Sequence, residues 1–577
     1  MDWKRFNKVR REAAPLQVEA IEAYQQGRMS RRAFIRGGTL LGLSLPAMTA
    51  VLAACGDDTP ATTAAPATTA APTTTAAQGG ELMVGIQTGD STVGLDPLNM
   101  LDFGTYGVMA QSFEYLVGLA DDGGSGPTAL ATGWTPNADA TQWTFNLREG
   151  VTWQDGAAFT SADVAATLDR MVEVNAGVGG LWVAGSTETP DDTTVVMNLE
   201  RPNANLPILV SVFNPQSLIT PADYVNGTVL NDRPTGTGAW VLDSFDATTY
   251  TVTFVPNPNW WGGAVNLEKI TLQGFESGGT KVAAMAAREI DVIQDFSVAD
   301  GGILLGDDDI VKLTPPSTNH RKIFFNTQLP EGGPFTDNRV RQAVAYAVNR
   351  QQIVDTVYQG YAIIGNDHIV HPSYPSFDPS QEQRPRDIEM GKQLLRDAGY
   401  ADGIETTIEV PDLGEVPQIA AIVEANLAEI GISAAVRVIP NSDFVGTAWC
   451  AGASWGAQPE TSGPTRPCGA SSAIGIIDFG HRPSPDVYFS RVLSTDGDWN
   501  ASNYTNPEFD TLYTEFQRTG DVDARRKVTG KMQRILSEDM PGCVHTFFQS
   551  LSGHDSSVSG VNTTANGQIQ LQKASKA

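Results

Sequence analysis

The side chains best able to do chemistry in this chain are few, and their spacing does not assemble a catalytic centre. His368 and His371 stand three residues apart, but Pro372 and the turn residues around it break the helix that would align them. His320, His481, His545 and His554 are scattered. There is no H-E-x-x-H run and no Ser/His/Asp or Cys/His signature, so hydrolytic chemistry has no recognisable home. With 66 Asp and Glu in the sequence, acidic pairs are too common to mark an acid–base site. The run Pro234-Thr235-Gly236-Thr237-Gly238-Ala239-Trp240 is glycine-rich. It lacks the G-x-G-x-x-G order and a following Lys-Ser/Thr, so it is not a phosphate cradle. No cofactor and no metal are expected. What remains is binding chemistry. The most informative polar stretch is Asp478-Phe479-Gly480-His481-Arg482-Pro483-Ser484-Pro485-Asp486-Val487-Tyr488-Phe489, which mixes hydrogen-bond donors, acceptors and aromatic faces.

One covalent chemistry is legible. Ser30-Arg31-Arg32-Ala33-Phe34-Ile35-Arg36 is a twin-arginine export signal with Arg31 and Arg32 at its centre. The apolar stretch 37–54 behind it contains Pro46 and is too short and too weakly apolar for a permanent span. It ends in Leu52-Ala53-Ala54-Cys55, which resembles the lipobox of bacterial lipoproteins; the Cys55 thiol would carry the diacylglyceryl group at the new N-terminus. Residues 1–54 are therefore expected to be a signal peptide. Residues 55–80, mostly Thr, Ala and Pro, cannot bury a core and read as a tether. Such a coil spans roughly 25–30 Å. Outside the cytoplasm Cys450 and Cys468, 18 residues apart in a Gly/Pro/Ser-rich loop, are expected to form a disulfide, with Cys543 free and buried near the end of a helix.

These candidates need elements to position them. Leu82, Val84 and Ile86 alternate in a first strand, and Trp143, Phe145 and Leu147 in another. Thr160 and Asp163 have capping-box spacing. Lys322 to Thr327 is a short run rich in β-formers. Gly332-Gly333-Pro334 breaks the chain, Asp337 or Asn338 caps a helix, and Val340, Ala343, Val344, Ala347 and Val348 form its buried face. A helix over 387–398, a strand over 406–410, a helical stripe from Val416 to Ile430 and a strand from Ile432 to Val438 follow. The last three make a βαβ unit and so a parallel sheet edge. Two late helices are expected, one capped by Asn506, the other over about 523–538.

The wording of several segments adds to this pattern. Phe325-Asn326-Thr327, Pro334 to Ala343 and Ala347-Val348-Asn349-Arg350 together resemble the most recognisable segment of the family 5 solute-binding proteins, which bind peptides or nickel for ABC importers. Phe113 to Val117, Trp143 to Gly156, Asn257 to Gly263 and Ala287 to Val292 match the same family in order. The resemblance implies an α/β, two-lobed periplasmic-binding-protein fold (type II, of the large class with an extra subdomain in lobe I), with the ligand cleft between the lobes. It places lobe I at 81–325, lobe II at 326–546 and a C-terminal return to lobe I at 547–577. It implies a peptide or other organic solute as ligand, ABC permease subunits as partners, and no catalysis. A metal chelate or a glycoside in the same fold, or an extracytoplasmic hydrolase, are the alternatives. In the family's peptide binders an Asp grips the α-amino group four residues before the proline matching Pro485; here that position is His481. The Trp usually three residues ahead falls on Asp478, beside Phe479. Candidate ligand contacts are Tyr106, Glu114, Trp449, Trp455, Asp478, Phe479, His481 and Arg482.

Length and charge set the outer limits. A chain of 577 residues needs at least two lobes. The formal charge of −28 divides into +5 over residues 1–54 and about −33 over the rest. That acidic body would repel a phosphate backbone, so nucleic acid is not expected as a partner. Contact with the membrane is expected only through the lipid, and the protein is expected to be a monomer. Replacing the lipidated thiol tests the export reading. Cys55→Ala should leave the body in the soluble fraction, and Arg31→Lys with Arg32→Lys should stop export; a Cys55→Ala protein that stays membrane-bound and normally processed would contradict it.

Overall fold

A computed structural model describes residues 79–577, except 90–93, 98–99, 101, 121–123, 175–177, 179, 226, 228, 329–331, 450–472 and 498. The signal, the tether up to residue 78, Cys55, Cys450, Cys468 and Trp455 lie outside the described residues.

Two large mixed sheets carry the molecule. The first runs in the order Ile310–Leu313, Leu551–Asp555, Val292–Phe296, Glu81–Gln87, Lys269–Phe275, Thr251–Pro256, Trp240–Asp246. Its central strand Glu81–Gln87 is parallel to both neighbours. Leu82, Val84 and Ile86 point into one core with Phe254, Ile270 and Leu272. Met83, on the opposite face, packs on a second cluster around Met285 and Ile293. Two-sided burial is what a parallel strand requires. A separate four-stranded sheet, Ala131–Pro136, Gln142–Leu147, Thr194–Asn198 and Glu188–Asp191, has its own core around Phe145, Trp153 and Trp182. Helix Ser161–Glu173 closes it, started by the Thr160/Asp163 capping box.

The second sheet runs Ala362–Asp367, Gly542–Phe548, His320–Phe325, Ile474–Phe479, Ile404–Asp412, Ile432–Pro440. The βαβ unit is present as read: Ile404–Asp412 and Ile432–Pro440 pair in parallel around helix Val416–Ala428. Helix Asn338–Ala347 is capped by Asp337, whose carboxylate accepts from Arg339 N at 2.9 Å. The stripe expected to continue through Val348 stops there. Val348 takes extended geometry, and the Asn349 side chain caps a new helix, Arg350–Thr356. Cys543 is buried and free, as expected, just past the end of helix Val522–Asp539, on strand Gly542–Phe548.

Strand His320–Phe325 was expected at the end of the first lobe. It pairs instead on both sides within the second sheet, and all six of its residues are buried. The chain therefore crosses between sheets through 314–319. It crosses back between Phe548 and Leu551, since Gly542–Phe548 belongs to the second sheet and Leu551–Asp555 to the first. The two crossings lie side by side: Phe548 N donates to Asn319 O at 2.9 Å, and Asn319 Nδ2 to Ser550 Oγ at 2.8 Å.

Burial also sets how stability depends on pH. Desolvation pushes the imidazoles of His320, His481 and His545 down to about 3, and those of His368 and His371 to about 4. Below an unfolded value near 6.5 the unfolded chain binds protons at these sites and the folded one does not, so each contributes a loss of about 1.4 kcal/mol per pH unit as pH falls. Glu114 and Asp486, raised by burial to about 7 and about 6, act in the opposite sense over the same range. The five histidines outnumber them. The melting temperature should fall steadily from pH 7 to pH 5 by scanning calorimetry, and the slope should flatten in His320→Phe; a melting temperature that rises toward pH 5 would contradict this.

Candidate ligand cleft

A cavity of about 440 Å³ opens between first-lobe segments at 124–125 and 204–208 and second-lobe segments at 373–376, 481–485 and 516–525. Ser125, Asn205 and Ile208 line it from the first lobe, and Thr318, Tyr374, His481, Ser484 and Arg525 from the second lobe and the crossing. The lobes touch around it. The His481 ring lies 5.5 Å from Phe213 between centroids, and Arg525 Nη1 donates to Asn205 Oδ1 at 2.9 Å.

His481 enters this cavity because strand Ile474–Phe479 ends just before it. The Thr318 backbone N–H donates to His481 Nδ1 at 3.1 Å, which leaves the ring hydrogen on Nε2. That Nε2 atom is buried without a partner. Burial, then the nearby Arg482 charge, depresses the imidazole to about 3, so it is a neutral donor at physiological pH. Arg482 is fixed through its backbone: its N–H donates to Thr318 Oγ1 at 3.0 Å, and its carbonyl accepts from Tyr374 Oη at 2.7 Å. Tyr106, on helix Phe103–Ser112 of the first lobe, lies within reach of the Arg482 charge. Burial raises the Tyr106 phenol to about 12 while the Arg482 charge pulls it back.

Arg525 lies on helix Val522–Asp539. Its Nε donates to Thr519 O at 2.7 Å, and its guanidinium sits 5.0 Å from the Phe516 ring centroid. Its Nη2 is a second buried donor with no partner. Burial raises the Asp486 carboxyl to about 6, against a hydrogen bond from Tyr513 and the Arg525 charge, and its Oδ1 is unpartnered.

The remaining candidates are distributed differently. Asp478 and Phe479 are neighbours on one strand and so face opposite ways. Asp478 accepts from Arg321 Nε at 3.0 Å, inside a network in which Arg321 Nη1 also reaches Glu415 Oε2 at 2.6 Å and Tyr358 Oη at 2.8 Å. Burial raises the Asp478 carboxyl, and Arg321 opposes that rise. Phe479 turns to the other core, where it packs on His320 and Trp449. Lys322 Nζ lies 5.4 Å from the Phe479 ring centroid, and burial alone lowers that amine to about 7. Glu114 lies in a different cavity altogether, in the first lobe.

Of the sequence candidates, His481 lines this cavity, Arg482 is its neighbour and Tyr106 lies within reach of the Arg482 charge, whereas Glu114, Asp478, Phe479 and Trp449 lie elsewhere. Arg525, Asn205, Phe213 and Thr318 were not singled out from sequence. They sit in no motif, and only the meeting of four distant segments gives them a role. Among the described residues, no group of three or more His, Cys, Asp or Glu could hold a metal ion.

The arrangement has relatives. Residues 127–464, more than half the chain, match the profile described as "Bacterial extracellular solute-binding proteins, family 5 Middle". The chain is 25% identical over 484 residues to the glutathione-binding protein GsiB of Salmonella paratyphi A, covering 82% of this chain and 91% of that protein. It is 25% identical over 490 residues to heme-binding protein A of Haemophilus influenzae, covering 79% and 85%. Among solved structures, the ABC transporter substrate-binding protein CtaP of Listeria monocytogenes superposes with a TM-score of 0.73 at 20% identity, over 86% of this chain and 99% of that one. Two lobes, paired crossings and a cleft between them, together with the profile match, lead to one conclusion: the chain belongs to the bacterial extracellular solute-binding proteins, family 5.

Proposed function

We propose that this protein is the substrate-binding lipoprotein of an ABC importer, exported by the twin-arginine route, held outside the cytoplasmic membrane by a lipid on Cys55, and that it captures a peptide or similar organic solute carrying a carboxylate. The observation that carries the ligand chemistry is the pair of buried, unpartnered donors on the cleft wall, His481 Nε2 and Arg525 Nη2. An unsatisfied buried donor costs about 1–3 kcal/mol, so a cleft that keeps two is suited to an acceptor. A carboxylate supplies two oxygens and a charge that Arg525 and the nearby Arg482 complement. Family membership supports delivery to a permease, and relatives named for glutathione and heme bind organic molecules that bear carboxylates. The acidic total of about −33 does not oppose this reading, because the groups lining the cleft set the local potential.

The carboxylate end is proposed as the anchor because the position that grips an amine in the family's peptide binders is a neutral imidazole here, and Asp478 is already engaged by Arg321. Calorimetry with matched free, N-acetylated and C-amidated tripeptides tests this. Amidation should weaken binding more than acetylation, and His481→Ala or Arg525→Met should each cost about 2 kcal/mol or more with the free peptide. If acetylation abolishes binding while amidation and both substitutions are silent, the anchor is an amine site, and Asp486→Asn becomes the variant that should lose binding.

A further inference from the structure

A second cavity, of about 420 Å³, lies wholly within the first lobe. Its walls come from the end of helix Phe103–Ser112 and the segment after it, from Trp240, from Trp260 and Trp261, and from the C-terminal stretch 560–573. None of its lining residues belongs to the second sheet or to the cleft wall described above. It is within the size range of small-molecule sites.

The polar groups of this cavity are prearranged. Gln568 is fully buried, and both its amide nitrogen and its amide oxygen lack partners. Trp240, 1% exposed, presents an unpartnered Nε1–H. Glu114 is held by two indoles, with Trp261 Nε1 donating at 2.8 Å and Trp260 Nε1 at 3.4 Å. Burial raises its carboxyl to about 7, against the pull of the Trp261 hydrogen bond. The Arg148 guanidinium stacks 3.9 Å from the Trp261 ring centroid and so fixes that indole. A buried amide that can donate and accept at once, a free indole N–H and flat indole faces fit one ligand chemistry well. Hydroxyl groups act as donor and acceptor together, and a ring of C–H groups packs on an aromatic face. A bare carboxylate would satisfy Trp240 and the Gln568 nitrogen but would leave the Gln568 oxygen unpaired and would face Glu114.

We infer that this cavity is a second ligand site, distinct from the cleft between the lobes, and that it takes a small polyhydroxylated molecule of the monosaccharide or cyclitol class. Gln568 and Trp240 supply the specific hydrogen bonds. Trp260 and Trp261 supply the stacking faces, and Glu114 orients both indoles.

Thermal shift and intrinsic tryptophan fluorescence, with D-glucose, D-ribose and myo-inositol as probes on the purified protein, test the inference. At least one probe should raise the melting temperature and change the fluorescence saturably. Gln568→Leu should weaken that probe at least tenfold, and Trp240→Phe, which keeps the packing, should weaken it severalfold. His481→Ala should leave it unchanged. The site would be overturned if no probe gives a saturable change, if the change survives in both Gln568→Leu and Trp240→Phe, or if His481→Ala removes it. Peptide binding followed in the same samples reports on the cleft independently, so loss of one reading does not carry the other with it.

Discussion

Arg321 is the constraint on which the second lobe depends. Its side chain is 5% exposed in the central strand of the sheet, where an unpaired guanidinium would be prohibitively costly. It is matched by Glu415 at the start of helix Val416–Ala428, by Asp478 on the adjacent strand and by the Tyr358 hydroxyl, and it lies 4.6 Å from the Phe548 ring centroid. One cation therefore ties together five segments separated by up to about two hundred residues. Losing a partner from such a set is worth about 3–5 kcal/mol, because a charge is then left buried. The same network decides a functional matter. A carboxylate committed to Arg321 is already engaged, and the ligand contacts must come from elsewhere.

Strand geometry then divides the Asp478–Phe489 stretch. Alternation turns Asp478 to the Arg321 side and Phe479 to the aromatic core of His320, Tyr488 and Trp449. Only past the end of the strand is a side chain free to face the other lobe, and there His481 meets Phe213. Thr318, on the crossing itself, holds both His481 and Arg482. The residue that orients the cleft donors thus sits on a segment joining the lobes. The Thr318 hydroxyl and backbone N–H are the contacts through which the crossing bears on the imidazole. Hinge motion of the kind used by two-lobed binders would act on both.

The two cavities differ in the chemistry they present. The cleft offers unpartnered donors on His481 and Arg525, and the raised carboxyl of Asp486 follows its wall residue Pro485. The first-lobe cavity offers an unpaired amide, indoles and a raised carboxyl at Glu114. For Asp486 and for Glu114 desolvation is the largest influence on the carboxyl, and hydrogen bonds from neutral donors, Tyr513 to the one and Trp261 to the other, only partly oppose it. These groups are local exceptions in an acidic protein, and the total charge says nothing of them.

The order of elements, the βαβ unit, the caps at Asp337, Asn506 and Thr160, and the family itself were legible from sequence, because period, capping chemistry and segment wording are local properties. The same local signals named His481, which lines the cleft cavity, its neighbour Arg482, and Tyr106, within reach of the Arg482 charge. They also named Asp478 and Phe479, whose roles depend on which way a strand faces, and Glu114, whose role depends on which cavity a helix end reaches. Strand His320–Phe325 read as the close of one lobe and became the centre of the other, since only pairing on both sides fixes a strand's sheet. Val348 read as helix and became a break, because Asn349 offers its own cap to the next turn. Arg525, Asn205 and Gln568 carried no local signal at all. An orphaned donor or a contact between lobes exists only once distant segments are packed together, so the sequence determined the elements and the family, while the packing decided which polar atoms were left for a ligand.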